Sequence, residues 1–302
     1  MNKTPNFLIA GGVATGTSFL SAALAKHPNI YLPKVQRPEP NFFHYSWKFN
    51  NGLDWYLSTW FHEVGNQQAI GERSSLLLPS DYAAKRLKAT FPDIKLIFCL
   101  RNPIERTWGN YRFSVLEGLE DLSFEEALDL EPKRMSLAEG KWAEVQPHAY
   151  TTRSKYSKHL QEYFELFGRE NILLIKSEAM GKNPHDHIKK VCEFLNVEWI
   201  PDLPLPPNYS SPSVVDRTLQ PSFRKHFGER FPEVIEAIRK EEDVAEITKT
   251  DVDREILDKL RANLCGGKEP LPTESRMRLQ SFFAEEIDEL KKLVDFSLED
   301  WR

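Results

Sequence analysis

Residues 7–18 read FLIAGGVATGTS, and this stretch decides the fold. Its first four residues are a short apolar run closed by Gly11-Gly12, the pattern of a buried strand. A helix pattern then runs over 17–26 until His27-Pro28 stops it. A strand that passes through glycines into a helix makes a P-loop-like turn. Backbone N–H groups turn inward there, and the helix N-terminus adds positive potential, so the turn suits an anion. The spacing follows the nucleotide-triphosphatase loop except at one position, where Thr17 stands in place of lysine. Without that cation the β- and γ-phosphates lose their main side-chain partner, which disfavours a kinase or an ATPase. The plain alternative is a tight strand-to-helix turn built from small residues.

Working outward, further buried strands are expected at 30–32, at 95–100 (KLIFCL) and at 172–176. Helices are expected over 53–61, 81–90, 104–117, 156–167, 185–195 and 274–293. Prolines at 38 and 40 make 36–41 a loop, because proline removes a backbone donor and restricts its predecessor. The proline-rich stretch 201–212 reads as a surface loop, and 220–270 as highly charged helical material. Alternating strands and helices predict an α/β fold, a P-loop-like parallel sheet flanked by helices. One domain over 1–302 is expected, with a charged helical insertion at about 213–270.

Forty Lys and Arg against 45 Asp and Glu give a net charge of −5, which argues against a general nucleic-acid or membrane-surface binder. Cys99, Cys192 and Cys265 lie far apart and form no metal-ligand spacing, so reduced thiols and a cytoplasmic location are expected. The N-terminal apolar run is too short for a signal peptide or membrane anchor.

Arg101 follows directly on the 95–100 strand, where open α/β sheets place ligand contacts, and a planar guanidinium there suits a phosphate. The competing role is a surface pair of Arg101 or Arg106 with Glu105, worth only ~0–1 kcal/mol. The order of short motifs carries more weight than either arginine. FLIAG with Thr17-Ser18, Pro33-Lys34, EPNFF at 39–43, GLDWY at 52–56, GERS at 71–74, LRNPIER at 100–106 and SKY at 154–156 occur in sequence. This series resembles the sulfotransferases that use 3'-phosphoadenosine-5'-phosphosulfate (PAPS), nearest to the branch of heparan sulfate sulfotransferases and their bacterial relatives. The similarity covers about 6–212 and 271–302.

The resemblance implies an enzyme that moves a sulfuryl group from PAPS to a small-molecule acceptor, leaving 3'-phosphoadenosine-5'-phosphate (PAP). It assigns Thr15, Gly16, Thr17 and Ser18 to the 5'-phosphate, Arg101 to the 3'-phosphate and Tyr156 to the nucleotide surroundings. It assigns Glu39 as the general base that takes the acceptor's proton, and Phe42 and Phe43 beside it would raise its pKa. His44 is the alternative base, with a packed aromatic edge as its plainer role. No metal is needed, since backbone donors and cations can stabilise the transferring group.

Two positions depart from the pattern. Ala14 replaces the lysine that reaches the bridging oxygen, and Gly109 replaces a phosphate-binding serine eight residues after Arg101. Arg73, Lys34 or Arg37 is expected to supply the missing charge. The aromatics Trp47, Phe49, Trp55, Tyr56, Trp60 and Phe61 read first as core packing and second as an acceptor wall, and Glu241-Glu242-Asp243 as a solvated helix face. A natural-product acceptor, such as a guanidinium alkaloid of the saxitoxin type, is compatible with the acidic and aromatic residues. A nucleotide binder that has lost catalysis, or a P-loop kinase, are the alternatives.

Overall fold

The computed structural model describes residues 4–34, 38–207, 212–244, 254–265 and 269–301, without the Cys265 side chain. Arg37, and parts of the 201–212 loop and the 213–270 stretch, lie outside the described residues. Five strands form one sheet: β1 (Phe7–Ala10), β2 (Ile30–Tyr31), β3 (Ala69–Arg73), β4 (Lys95–Leu100) and β5 (Ile172–Lys176). The main helices are α1 (Thr17–Leu24), α2 (Gly52–Trp60), α3 (Ala83–Thr90), α4 (Pro103–Leu116), α5 (Phe124–Ser136), α6 (Ser157–Phe167), α7 (Pro184–Leu195), α8 (Gln220–Phe227), α9 (Phe231–Lys240), α10 (Arg254–Asn263) and α11 (Thr273–Leu290).

The strand order is β2-β3-β1-β4-β5, and every pairing in the sheet is parallel. All five strands therefore end on the same edge. β1 lies between β3 and β4, with Ile9 opposite Arg73 and Ala10 opposite Phe98. Chain direction along the sheet reverses at this central strand, the kind of switch point at which open α/β sheets bind ligands.

The sheet strands are buried on both faces, which is why β1 and β4 read as unbroken apolar runs. Phe7, Ile9, Ile97 and Cys99 pack with Leu20, Leu24, Ile188 and Val191 of α1 and α7. Phe98 points the other way, its ring 4.8 Å from that of Tyr163 on α6. The strand at 69–73 was absent from the sequence reading. AIGER is short and ends in two charged residues, so no apolar run announces it.

The chain divides into two compact units, one of Met1–Arg106, Thr151–Asn208 and Met277–Arg302, the other of Thr107–Tyr150 and Tyr209–Arg276. The first holds the five-stranded sheet. The second has its own core, in which Leu116, Phe223, Phe231, Val234, Leu257 and Leu260 meet. Ser213–Val214 pairs antiparallel with Leu264–Cys265 there. Asn263 ties the same region, accepting from the Asp216 N–H and donating to its carbonyl. Glu241, Glu242 and Asp243 are exposed, as a solvated face should be. Cys99 and Cys192 are buried free thiols. No helix among the described residues is long and apolar enough to cross a membrane.

Candidate active site

The loop after β1 keeps its shape through its own small side chains. The buried Thr15 hydroxyl donates to the Gly12 carbonyl (2.8 Å) and accepts from the Gly12 N–H (3.2 Å). That hydroxyl braces the loop from within, whereas the sequence reading had assigned it to phosphate. Gly16 turns the chain into α1 at φ 87°, a left-handed conformation that glycine adopts without a side-chain penalty. No side chain caps the start of α1, so its first N–H groups are open to an anion. Thr17, the first helical residue, is buried, and Ser18 is exposed.

Two arginines reach this loop, Arg101 from the end of β4 and Arg106 from the first turn of α4. Arg101, after β4, donates through Nη1 to the Ala14 carbonyl at 3.0 Å. Its Nη2 lies 3.7 Å from Glu105, so the surface-pair role and the loop contact coexist. Tyr156 is buried, and its hydroxyl donates to the Arg101 carbonyl at 3.1 Å, which fixes the backbone behind the guanidinium. The Asn102 N–H donates to Glu178 at 2.8 Å, and the Asn102 side chain accepts from the Ile104 N–H to start α4. Arg106 takes a role the sequence did not suggest. It is wholly buried beneath the loop, donating to the Val13 carbonyl (3.2 Å) and to Ser154 (3.1 Å). A Cβ at Gly12 would lie 3.2 Å from its Nε, so the second glycine of the loop makes room for this side chain.

Arg73 ends β3 on the opposite side of β1. One Nη1 donates to Ser18 Oγ at 3.1 Å and forms a hydrogen-bonded ion pair with Glu39. The Glu39 carboxylate also accepts from the Ser75 N–H and hydroxyl, both at 2.7 Å, and from Asn41 at 3.3 Å. These partners are polar. Phe42 and Phe43 instead turn into a buried aromatic cluster, with Phe42 stacked 4.5 Å from Tyr56 and Phe43 edge-on to it at 5.7 Å. The apolar wall expected beside Glu39 is thus part of the core. His44 is buried with its ring 4.7 Å from Tyr45, in keeping with the packed-edge role. Tyr56, Trp60 and Phe61 are core residues, while Trp47 is half-buried and stacked on Tyr45 at 4.2 Å.

Lys34 lies apart from these contacts. Its side chain is 81% exposed and its ammonium pairs with Glu63 at 3.1 Å. Gly109 sits on α4 and belongs to the second compact unit.

A second carboxylate of this region, Glu72, lies next to Arg73 on β3 and is fully buried. Both its oxygens lie 2.9 Å from the Ser74 hydroxyl, and Tyr56 donates to it at 3.3 Å. Desolvation pushes its pKa up from 4.5 to about 8, against the lowering effect of Ser74. The folded protein therefore holds a proton that the unfolded chain releases. The stabilisation linked to that proton is complete below about 4.5 and is lost as pH rises towards about 8. Glu72→Gln should flatten this slope. Urea unfolding near pH 5 and near pH 8 is expected to show the larger stability loss in the unsubstituted protein; equal losses in both would contradict it. Lys48, close by, is pushed down to about 8 by burial, with Glu72 and Glu39 opposing the shift. Neither residue is legible as part of the site, because one lies in a strand that no apolar run announces and the other in a short helical turn among aromatics.

The sequence model of the sulfotransferase domain matches residues 4–204. The membrane-associated sulfotransferase kil1 of Dictyostelium discoideum is 33% identical over 113 residues, 37% of this chain and 23% of that protein. Heparan sulfate glucosamine 3-O-sulfotransferase 3B1 of Mus musculus is 26% identical over 198 residues, 66% of this chain and 47% of the relative. The chain thus spans less than half the length of these two relatives. In overall fold it is similar to a sulfotransferase from Alicyclobacillus acidocaldarius, with a TM-score of 0.68 at 24% identity over 99% of both chains. With two-thirds of its length matched by the domain, and the matched part carrying the β1 loop, Glu39, Arg73 and Arg101, the chain belongs to the sulfotransferase family.

Proposed function

We propose that this protein transfers a sulfuryl group from PAPS to a hydroxyl or amine of a small-molecule acceptor. One observation carries the reading. From strand ends on either side of β1, Arg101 hydrogen-bonds to the loop after β1 and Arg73 to Ser18 in the first turn of α1. A nucleotide with phosphates at its 5' and 3' positions needs two separated anion sites, and this arrangement suits it. Thr17, Gly16 and Ser18 at the start of α1 would hold the 5'-phosphate, and Arg101 the 3'-phosphate, with Tyr156 supporting Arg101 from behind. Gly109 would offer no hydroxyl to that phosphate.

In the transfer, the acceptor oxygen or nitrogen attacks sulfur and gives its proton to Glu39. The bond from sulfur to the 5'-phosphate oxygen breaks, and its electron pair stays on the departing phosphate. Arg73 stands between Glu39 and Ser18, so its guanidinium can neutralise charge growing on that oxygen where Ala14 supplies none. Lys34, exposed and paired with Glu63, is the weaker candidate for that task. For the acceptor, Tyr45 stacked on Trp47 near the Glu39 loop supports a cationic or aromatic metabolite, a guanidinium alkaloid of the saxitoxin type being one.

The test is incubation with PAPS and a metabolite extract, followed by mass spectrometry. Products heavier by one SO3 group, together with released PAP, are expected. Tight PAP binding with no such product would instead identify a nucleotide binder without catalysis. Arg101→Ala should weaken PAP binding by roughly 10–100-fold by calorimetry, the loss expected for a charged hydrogen-bond partner. Unchanged affinity would remove Arg101 from the phosphate site.

A further inference from the structure

The loop that carries Glu39 is held by its backbone from two sides. The Lys48 ammonium, from the helical turn Ser46–Phe49, donates to the carbonyls of Glu39 (2.8 Å) and Pro40 (2.6 Å). From the other side, the Asn41 N–H donates to Ser74 Oγ at 2.8 Å, and that hydroxyl donates in turn to the fully buried Glu72. The Asn41 side-chain carbonyl accepts from the Leu76 N–H at 3.2 Å. Between these anchors Asn41 adopts φ 41°, a left-handed conformation that asparagine tolerates but does not seek. Left to itself, a loop with Pro38 and Pro40 beside such a residue has other conformations open to it. An ammonium placed on two consecutive carbonyls selects one of them.

The position matters because Glu39 must do two things at once. Its carboxylate pairs with Arg73 and still has to face the acceptor. Its side chain is short of freedom only if its own backbone is fixed. Lys48 touches that backbone, its ammonium donating to the Glu39 and Pro40 carbonyls.

We propose that Lys48 is a positioning residue for the proton-accepting step, its ammonium and the Glu72–Ser74 pair together holding the 39–41 backbone so that Glu39 stays aligned on Arg73. This rests on Glu39 being the base. Lys48 touches no reacting atom, and its effect passes entirely through Glu39.

The experiment is a double-mutant cycle on the full chain, with radiolabelled PAPS and a fixed metabolite extract as the transfer probe. Lys48→Met is expected to lower the rate at saturating PAPS on the order of 10–100-fold, the cost of a misplaced catalytic group. KM for PAPS and PAP affinity should stay within about twofold, because the nucleotide contacts are untouched. Lys48→Arg, which keeps a charged donor, should recover most of the rate. The decisive comparison is Glu39→Gln with Lys48→Met, which should be no slower than Glu39→Gln alone. Losses that multiply, or a Lys48→Met rate equal to the unsubstituted one, would overturn the proposal. Should Lys48→Met fail to fold, Lys48→Gln, which keeps one donor group, is put through the same cycle. A fully active Glu39→Gln protein would refute the base assignment itself, and so separates that failure from a failure of Lys48.

Discussion

Glu39→Gln is expected to lower sulfuryl transfer by about 10²–10⁴-fold, the usual contribution of a positioned general base. The amide is nearly isosteric and its one oxygen can still accept from the Ser75 N–H and hydroxyl, so the loop keeps that anchor, while Arg73 loses its charged partner and retains Ser18. What it cannot do is take a proton from the acceptor. PAP affinity should therefore remain near that of the unsubstituted protein, since no phosphate contact is assigned to Glu39. Transfer rates with PAPS, together with calorimetric titration of PAP, check both halves. A variant that binds PAP normally and transfers at full rate would show that another group accepts the proton. His44 is poorly placed for that part, buried against Tyr45 with its carbonyl held by Arg86.

Arg73→Met should affect turnover and stability together. The side chain is only 5% exposed and bridges Ser18 to Glu39, itself 15% exposed. Removing one partner of a buried pair strands the other, at a cost of about 3 kcal/mol here, the low end of the range because Glu39 retains some contact with water. Transfer should fall on the order of 10²–10³-fold through the lost charge at the departing phosphate. Arg73→Lys separates the two effects. It keeps the cation but not the shape and fixed donor directions of the guanidinium whose Nη1 meets both partners, so its stability and rate should lie between the extremes. Adding Ala14→Lys to Arg73→Met offers a direct test of compensation, since it returns a cation to the loop position where this chain has alanine. Recovery of rate without recovery of stability would locate the missing charge at Arg73. Full turnover of Arg73→Met alone would dismiss that role. One structural feature works against the rescue: Ala14 sits at φ 69°, which a side chain of any length adopts at some cost.

Much of this architecture is legible in the residues themselves. FLIA and KLIFCL are buried on both faces, so their apolar runs are unbroken, and the glycines after β1 mark the loop whatever surrounds them. The helices at 157–167 and 184–195 follow from periodicity, to within a residue or two of their observed ends. The place of Arg101 directly after β4, with its guanidinium at the β1 loop, follows from the end of a buried apolar run and is legible too. The burial of the site's other half is not. The GERS motif marks Arg73 as a candidate cation, but charge in a short segment reads as surface, and nothing local announces that Glu72 and Arg73 lie in a buried strand. They are tolerated inside because β3 ends at the sheet edge where Ser18, Glu39, Ser74 and Tyr56 supply their partners. Apart from the neighbouring Ser74, those partners lie 16 to 55 residues away in sequence, so no local pattern can announce them.

The amino-acid order alone determined the strand–loop–helix turn and the family, since both depend on neighbours along the chain. Only the tertiary structure decided that β3 lies against β1, that Arg73 meets both Ser18 and Glu39, that Thr15 braces the loop and that Lys48 grips the Glu39 backbone. Strand order and buried ion pairs are set by which surfaces can be desolvated together, and that is a property of the packed chain rather than of any segment of it.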